Sequence, residues 1–299
     1  MKRDIPLPHT LLISFHYARD WNLDRWLDFR IVGDSGAYSA RSQGAVISVD
    51  DLGAWAAKWR HRLYWVAALD VAGDQPQTRR NWERMNRDYG LQSVPSIHMG
   101  DDPRMMDYYV ERGCDFIGLG GLAGGQATMR GQMRWLVSVF RYQQRNHPHV
   151  RLHGWGLTTR DSMMLPFWSV DSSSWGAGFR YGVIPLRDPR DGKRMDFRAD
   201  GHTAFTEPYA SMLTDHYGIS PARIATADAT TRKDIVRVSA LAQMCYEKRM
   251  RRLHRPGITA PSWGIMQDLG KSNTGPNVVL ADSATSNLDA LQQMMGGSP

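Results

Sequence analysis

Two aspartates, Asp34 and Asp171, each follow a short apolar run and stand directly before a serine. Asp34 ends "RIVGD" and precedes Ser35 and Gly36, whereas Asp171 ends "FWSVD" and precedes three serines. Aspartate, serine and glycine are common turn formers, so each aspartate alone has a plain turn interpretation. Two carboxylates at strand ends on one face would instead suit displacement at a sugar carbon. One attacks the anomeric carbon, and the other handles the proton of the leaving group.

The glycine run "GLGGLAGG" (118–125) has two chemical interpretations. Backbone amides at a helix start can cradle a phosphate, although the run lacks the Lys-Ser/Thr pair of a P-loop. Glycines also let a flat ring lie against the backbone, which suits a purine equally well. The run alone leaves both open.

A metal site built on His98, His153 and Asp70 with Asp34 is disfavoured. Barrel hydrolases that bind metals usually carry an early His-x-His, and none occurs on the first predicted strand. The two cysteines, Cys114 and Cys245, are far apart, which argues against a cysteine-rich zinc site and against a disulfide framework. We therefore expect no metal and no disulfide.

Apolar runs of strand length alternate with helical patterns over the first 175 residues or so, which predicts parallel pairing and an α/β fold. A doubly wound sheet and a closed (β/α)₈ barrel of the TIM type both fit this alternation. The predicted strands are 9–18, 29–36, 64–73, 92–100, 115–125, 151–158 and 167–175.

Polar groups recur at the carboxyl ends of these predicted strands. In a barrel such ends meet on one face, where barrel enzymes keep their chemistry, whereas an open sheet would spread them along an edge. The barrel is therefore favoured. The strand-end groups are Asp34, Asp70, His98, the glycines of 120–125, His153 and Asp171.

The rest of the chain is less regular. The pattern loosens over 176–225, which predicts an irregular insertion in a barrel domain that spans 1–255. A long helical pattern over 230–255 ends in a basic run, and the tail 256–299, rich in Gly, Ser, Asn and Pro, predicts little structure. The basic run includes Lys248, Arg249, Arg251 and Arg252.

Composition narrows the class of protein. Of 299 residues 42% are hydrophobic, which excludes wholesale disorder, and the formal net charge of +7 with a pI near 9.5 favours a polyanionic partner. The N-terminal stretch has no long apolar segment, and no run approaches ~18 apolar residues, so we expect no secretion signal and no membrane span. These features predict a cytoplasmic protein.

Five motifs, in order over about residues 30–180, resemble those of the tRNA-guanine transglycosylases. "DSGAYS" resembles the family's Asp-Ser-Gly-Gly-Phe/Tyr-Gln segment, "GGLAGG" its Gly-Gly-Leu-Ala-x-Gly loop and "LHGWG" its Leu-x-Gly-x-Gly strand. "SVDSSSW" falls where the family has its nucleophile strand, and "AALDV" resembles the strand whose aspartate reads guanine. No single motif is specific, but the ordered set is.

The resemblance implies a (β/α)₈ barrel that exchanges guanine for a 7-deazaguanine derivative. It makes Asp171 the nucleophile and Asp34 the general acid/base, while Asp70 would bind the Watson–Crick edge of the base and Tyr38 would stack on its ring. No cofactor is implied beyond a free 7-deazaguanine base as co-substrate. Further base-binding positions are Ser35, Gly120, Gly121, Leu122, His98 in place of a Gln, and His153 in place of an apolar platform residue.

Two departures from the family bear on the partner. The Cys-x-Cys-x-x-Cys…His zinc cluster is absent, and the Pro-Thr-Arg segment is replaced by "SSWGAGFRYG". The chain therefore looks most like the DNA-guanine transglycosylases of bacteriophages and bacterial islands, which protect DNA from restriction, and a phage protein would act in the host cytoplasm. DNA phosphates would then be held by Arg180 and Arg187, and by the basic run of 248–252.

Three other functions remain open at this point. They are a divergent tRNA-guanine transglycosylase, a barrel glycosidase or nucleoside hydrolase acting on a small molecule, and an inactive barrel that only binds nucleic acid. An inactive barrel would be expected to lose Asp34 or Asp171, and a small-molecule hydrolase would not need the basic helix.

Overall fold

The computed structural model describes residues 10–27, 30–122, 128–157, 162–173, 183–188, 194–198, 205–225, 229–253 and 277–282. The chain divides into two compact units. The sheet unit comprises Thr10–Ser172 and Met250–Val279, and the hairpin unit comprises Met1–His9, Ser173–Arg249 and Leu280–Pro299.

Ten strands lie within the described residues; six of the seven predicted segments contain one, and the seventh, 64–73, overlaps β3, which begins one residue earlier. They are β1 (Thr10–Ser14), β2 (Arg30–Asp34), β3 (Leu63–Val66), β4 (Ser96–His98), β5 (Phe116–Gly120), β6 (Arg151–Gly154), β7 (Ser169–Ser172), β8 (Val183–Arg187), β9 (Arg194–Arg198) and β10 (Asn277–Asp282).

Helices follow most strands of the sheet unit. They are α1 (Phe15–Ala18), α2 (Ala37–Ser42), α3 (Val49–Lys58), α4 (Gln75–Tyr89), α5 (Met105–Val110) and α6 (Met129–Asn146). The described part of the remaining chain contributes α7 (Tyr209–Ser211), which runs into a π-helical turn over Met212–His216, then α8 (Pro221–Ala225) and α9 (Ala229–Leu253). The predicted α/β class is confirmed.

The sheet unit is organised around one eight-stranded sheet of order β3-β2-β1-β10-β7-β6-β5-β4. The pairs β1–β2, β2–β3, β4–β5, β5–β6 and β6–β7 are all parallel. A parallel bridge between Ala67 and Val94 also joins the segment after β3 to the segment before β4. Hydrogen bonding therefore also joins the segments next to the two end strands of this order.

The strands form because short β-branched and apolar runs are covered on both faces. In β2 the residues Ile31, Val32 and Gly33 are consecutive and all buried, and the five residues of β5 are all buried. Continuous burial rather than alternation is typical of parallel strands flanked by helices. The carboxyl ends of these strands then reach a common edge of the sheet.

The hairpin unit has a separate core. Strands β8 and β9 pair antiparallel, from Val183 opposite Arg198 to Arg187 opposite Arg194. One apolar cluster joins Ile184, Leu186 and Phe197 of this hairpin with residues of α9, among them Val238 and Ala242. The segment 176–225, predicted as an irregular insertion, thus contains β8, β9, α7 and α8.

Strand β10 lies inside the tail 256–299, for which the sequence predicted little structure. Its run "NVVLAD" is rich in apolar and β-branched residues, which favour a strand. The composition of the whole tail is dominated by Gly, Ser, Asn and Pro, so the strand was not recognised. None of the described helices is long and apolar enough to cross a membrane.

Candidate active site

Strand register brings the predicted polar residues to one edge of the sheet. Ser14 pairs with Asp34 across β1 and β2, His98 with Gly120 across β4 and β5, and His153 with Ser169 across β6 and β7. Each of Asp34, His98 and Asp171 lies at or near the carboxyl end of its strand.

Asp171, in β7, is held by two hydrogen-bond donors. The backbone N–H of Gly156 donates to Oδ1 of Asp171 over 2.8 Å, and Nε2 of His153 lies 3.2 Å from the same oxygen. Because a carboxylate oxygen only accepts, the neutral His153 ring that fits this contact carries its proton on Nε2. Within the described ranges no residue hydrogen-bonds to Oδ2 of Asp171.

Ser169, His153 and Asp171 share the composition of a hydrolase triad but not its accessibility. Ser169 Oγ lies 2.6 Å from Nδ1 of His153, on the opposite side of the ring from Asp171. Ser169 is 1% exposed and His153 is fully buried, while Asp171 is 7% exposed. A nucleophilic serine must reach its substrate. This series therefore orients Asp171 and does not activate Ser169.

Aromatic packing fixes the His153 ring from its sides. The ring centroid lies 4.3 Å from that of Trp155 and 5.0 Å from that of Trp65. Trp155 in turn donates its Nε1–H to Ser96 Oγ over 3.1 Å. Gly118 leaves the space for this indole, since a Cβ at that position would stand 2.2 Å from Trp155 Nε1.

Asp34 ends β2 in a turn that holds its carboxyl group in place. The backbone N–H of Gly36 donates to Oδ2 of Asp34 over 2.9 Å. Burial raises the pKa of Asp34 to about 7, and the charges of Asp171 and Asp70 act in the same direction, against the backbone hydrogen bonds of Gly36 and Ser35. The charges of Asp171 and Asp70 therefore reach Asp34, whose carboxyl group is partly protonated near neutral pH.

Asp70, just after β3, is paired with His98 at the end of β4. Nε2 of His98 lies 2.7 Å from Oδ2 of Asp70. Burial of His98 lowers its pKa, but the hydrogen bond and charge of Asp70 and the charge of Asp101 outweigh that effect, so the net pKa is raised. No described residue hydrogen-bonds to the other oxygen of Asp70.

The remaining predicted base-binding positions surround this group. Gly121 has a φ of +70°, and a Cβ there would lie 3.2 Å from the backbone N of Met99. Leu122 is buried, and its carbonyl accepts from Nε2 of Gln132. Ser35 is buried within the Asp34 turn, whereas Tyr38 in the first turn of α2 is 64% exposed. Positions 123–125 of the glycine run lie outside the described residues.

His153 does not occupy the position of a contact surface for a base. Its ring is fully buried, with Ser169 Oγ at Nδ1 and Asp171 Oδ1 at Nε2. It lies behind the carboxylate it supports, so it acts through Asp171.

The residues predicted to hold phosphates have mixed placements. Arg187 is 7% exposed and its guanidinium lies 3.9 Å from the ring centroid of Tyr246, so a phosphate contact would require this packing to open. Arg180 lies outside the described residues. Lys248, Arg251 and Arg252 belong to α9, but their side chains are not among those described, and Arg249 is half-buried.

The described residues contain no group of three or more His, Cys, Asp or Glu side chains placed to hold a metal ion. The clusters Asp70–His98 and Asp171–His153 each pair one carboxylate with one imidazole.

Sequence reasoning missed four residues of the site: Gln75, Asp101, Trp155 and Gly156. Asp101 follows His98 by three positions and accepts from its backbone N–H over 2.8 Å, a local turn signal that "HMGD" carries. Gln75 is the first residue of α4, directly after the capping Asp74. Nothing in the sequence links Gln75 to β4, because that contact is made only by the fold.

A scan against protein-family models finds no match, and no curated protein matches the chain. Function is therefore inferred from the residues and contacts of this chain.

Proposed function

We propose that the protein is a guanine transglycosylase that acts on DNA and exchanges guanine for a 7-deazaguanine derivative. The proposal includes closure of the eight-stranded sheet into a (β/α)₈ barrel, supported by the Ala67–Val94 bridge between the segments next to the two end strands of the sheet order. The observation that carries it is the contrast between two carboxyl groups. Asp171 has two donors on one oxygen, whereas burial raises the pKa of Asp34 to about 7.

Such a contrast assigns an acid and a nucleophile. Asp171 Oδ2 attacks C1′ of the target nucleotide, so the O–C1′ bond forms as the C1′–N9 bond breaks and its electron pair passes to the base. Asp34 delivers its proton to the departing guanine. In the second half, Asp34 takes the N9 proton of the incoming base, N9 attacks C1′, and Asp171 is released.

Base recognition is assigned to Asp70 and the glycine edge. An ionised carboxylate accepts from the N1–H and amino group of a guanine-like base, and Oδ1 of Asp70 is open to such donors. Tyr38, whose ring is exposed in the first turn of α2, is proposed to stack on the base.

The decisive experiment follows labelled guanine. Purified protein is incubated with labelled guanine and either duplex DNA, single-stranded DNA, tRNA or a free nucleoside. Label should enter DNA and not tRNA. Label entering tRNA would replace DNA by tRNA as the substrate, and release of base from a nucleoside without incorporation would identify a hydrolase.

A trapped adduct tests the nucleophile separately. Denaturation of the protein with single-stranded DNA should retain a band of lower mobility, which should be lost in Asp171→Ala. Ser169→Ala is the matched control in the same strand and should keep the band, because the serine only supports His153. A normal exchange rate in Asp171→Ala would refute the assignment.

A further inference from the structure

Gln75 is a buried amide in the sheet unit to which the proposed reaction assigns no role. It is 7% exposed and occupies the first position of α4. Its Nε2 faces three acceptors: Asp101 Oδ2, in a short contact, Ser96 O at 3.4 Å, and Nδ1 of His98 at 3.3 Å. Its Oε1 is buried and has no hydrogen-bond partner among the described residues.

These contacts fix which way the amide points. A carboxylate and a backbone carbonyl only accept, so the atom that faces them must be the NH₂ group. In the reverse orientation Oε1 would face Asp101 Oδ2 and Ser96 O. Both are acceptors, so neither could donate a hydrogen bond to it. The unpaired Oε1 is therefore the cost of aiming the NH₂ group at Asp101, Ser96 and His98.

The amide orientation in turn fixes the His98 ring. A ring nitrogen that faces an NH₂ group can accept a hydrogen bond from it. If that nitrogen carried a proton, two donors would face each other and no hydrogen bond could form. Nδ1 of His98 is therefore the bare nitrogen, and the ring proton lies on Nε2, where it is donated to Oδ2 of Asp70 over 2.7 Å.

We propose that Gln75 is a positioning residue that holds His98 in the Nε2–H tautomer and thereby keeps Oδ1 of Asp70 turned toward the incoming base. This inference deepens the proposed function, because the role of Asp70 as base reader is part of that function. The chain from Gln75 through His98 to Asp70 does not depend on that function.

The groups around His98 make this control necessary. Burial of the ring opposes a second proton, as does the charge of Arg41, but Asp70 and Asp101 favour one and the net pKa of His98 is raised. A doubly protonated ring would direct Nδ1–H at the amide of Gln75, which has no acceptor there. Gln75 thus opposes the second proton that these two carboxylates favour.

Two variants of Gln75 should move His98 in opposite directions. Gln75→Leu has a similar size but no amide, so Nδ1 loses its fixed neighbour and the ring should populate both tautomers. Gln75→Glu places an acceptor against Nδ1, so the ring should hold two protons to a higher pH than in the unmodified protein. Gln77→Leu, two residues along α4 and bonded to Asn81 instead, is the matched control.

The readout is the ¹⁵N spectrum of histidine-labelled protein, with the His98 signals identified by their loss in His98→Asn. The expected result is an Nε2–H pattern in the unmodified protein and in Gln77→Leu, a mixed pattern in Gln75→Leu, and an imidazolium pattern that persists to higher pH in Gln75→Glu. An unchanged His98 pattern in both Gln75 variants would overturn the proposal.

Kinetics separate this role from general stability. In Gln75→Leu the KM for the free base should rise about tenfold, the factor that corresponds to ~1.4 kcal/mol, with the KM for DNA unchanged. Equal rises in both KM values would mean that Gln75 only stabilises the fold and would overturn the positioning role. If the spectra change as expected but the unmodified protein exchanges no base, the transglycosylase proposal fails and the His98 positioning stands.

Discussion

Asp34 and Asp171 carry the same chemical group in different surroundings. One oxygen of Asp171 faces both the N–H of Gly156 and Nε2 of His153. Burial raises the pKa of Asp34 to about 7, and two further carboxyl groups near it act in the same direction. The same pair of carboxyl groups can therefore supply an acid and a nucleophile at neutral pH.

The raised pKa of Asp34 predicts a stability that falls as pH rises. An acid whose folded-state pKa, about 7, exceeds its unfolded value of 3.8 binds its proton more tightly in the folded state. Folding is then weakened progressively between pH ~4 and pH ~7 as the folded carboxyl must ionise. Asp34→Asn should therefore have a higher Tm than the unmodified protein at pH 8, and the gain should vanish near pH 4.

Thermal unfolding across pH 4–8 measures this difference. Asp51→Asn, on the exposed first turn of α3, is a control that removes one carboxylate outside the site. A Tm gain for Asp34→Asn that is the same at pH 4 and pH 8 would contradict the assignment of a raised pKa. The variant should at the same time lose base exchange by ~10²–10⁴-fold, the usual worth of general acid/base assistance.

The candidate site could be predicted only as far as local chemistry allowed. Asp34, Asp70, His98 and Asp171 were found because each stands at the end of an apolar run, and the structure places charges of three of them within mutual influence. The role of His153 could not be foreseen, because a histidine in "RLHGWG" gives no sign that it lies behind Asp171. Gln75 was not predicted either, because its hydrogen-bond partners lie 21 to 26 positions away in the sequence.

Among the strands, β5 and β6 show how the sheet accommodates the site. Gly118 in β5 gives room to Trp155 just after β6, and Trp155 packs against His153. Gly118→Ala would put a methyl group 2.2 Å from Trp155 Nε1. We expect the indole to be displaced, its hydrogen bond to Ser96 to break, and the free energy of unfolding to fall by ~1–3 kcal/mol, a typical cost of overpacking.

Denaturant unfolding and the exchange assay measure the two consequences of Gly118→Ala. The exchange rate should fall too, because Trp155 neighbours the Gly156 N–H that holds Asp171. The control is Gly131→Ala in α6, where the nearest atom to a new Cβ is Thr128 Oγ1 at 3.4 Å and alanine favours the helix. Equal free energies of unfolding of the two variants would show that the indole of Trp155 moves aside without loss of stability.

Strands were the elements that the sequence predicted best. Each of the seven predicted runs contains or overlaps a strand, because a buried parallel strand is a continuous apolar run with turn residues at its end. The sequence did not predict β8, β9 and β10, which lie in the segments interpreted as an irregular insertion and a tail with little structure. Their runs lie among Gly, Arg, Asp and Ser residues that obscure a strand pattern, and β10 in addition pairs only with β1 and β7, which lie far away in the sequence.

For the molecule as a whole, the formal charge of +7 raises the question of where a polyanion would bind. Helix α9 ends in a basic run, and Arg249 in it is half-buried. If α9 contacts DNA, the double variant Arg251→Ala/Arg252→Ala should weaken binding and reduce the slope of log K against log salt concentration by ~1.4–1.8, the loss of two phosphate contacts.

Binding of a fluorescent single-stranded oligonucleotide over a range of salt concentrations tests this. The double variant Arg141→Ala/Arg145→Ala removes two exposed arginines from α6 and is the control for net charge. Equal slopes in the two double variants would mean that α9 presents only a charged surface and that DNA follows another path.

The sheet order also predicts a sharp boundary for truncation. Strand β10 lies between β1 and β7, so its removal leaves two strand edges without a partner. A chain ending at residue 276 should aggregate or melt at a lower temperature, whereas a chain ending at residue 282 should keep the strand and its stability. Matching solubility and Tm in the two truncated chains would show that β10 is dispensable.

The place of β10 has a consequence for biosynthesis. The chain leaves the ribosome with β1 near its start and β10 about 270 residues later, at ~5–20 residues per second. Strand β10 begins about 105 residues after the end of β7, so for roughly 5–20 s the nascent sheet has β1 and β7 without the strand that separates them. Chaperones that shield open strand edges would therefore matter most in that interval, and the arrival of the last strand, rather than the first, would commit the protein to its native state.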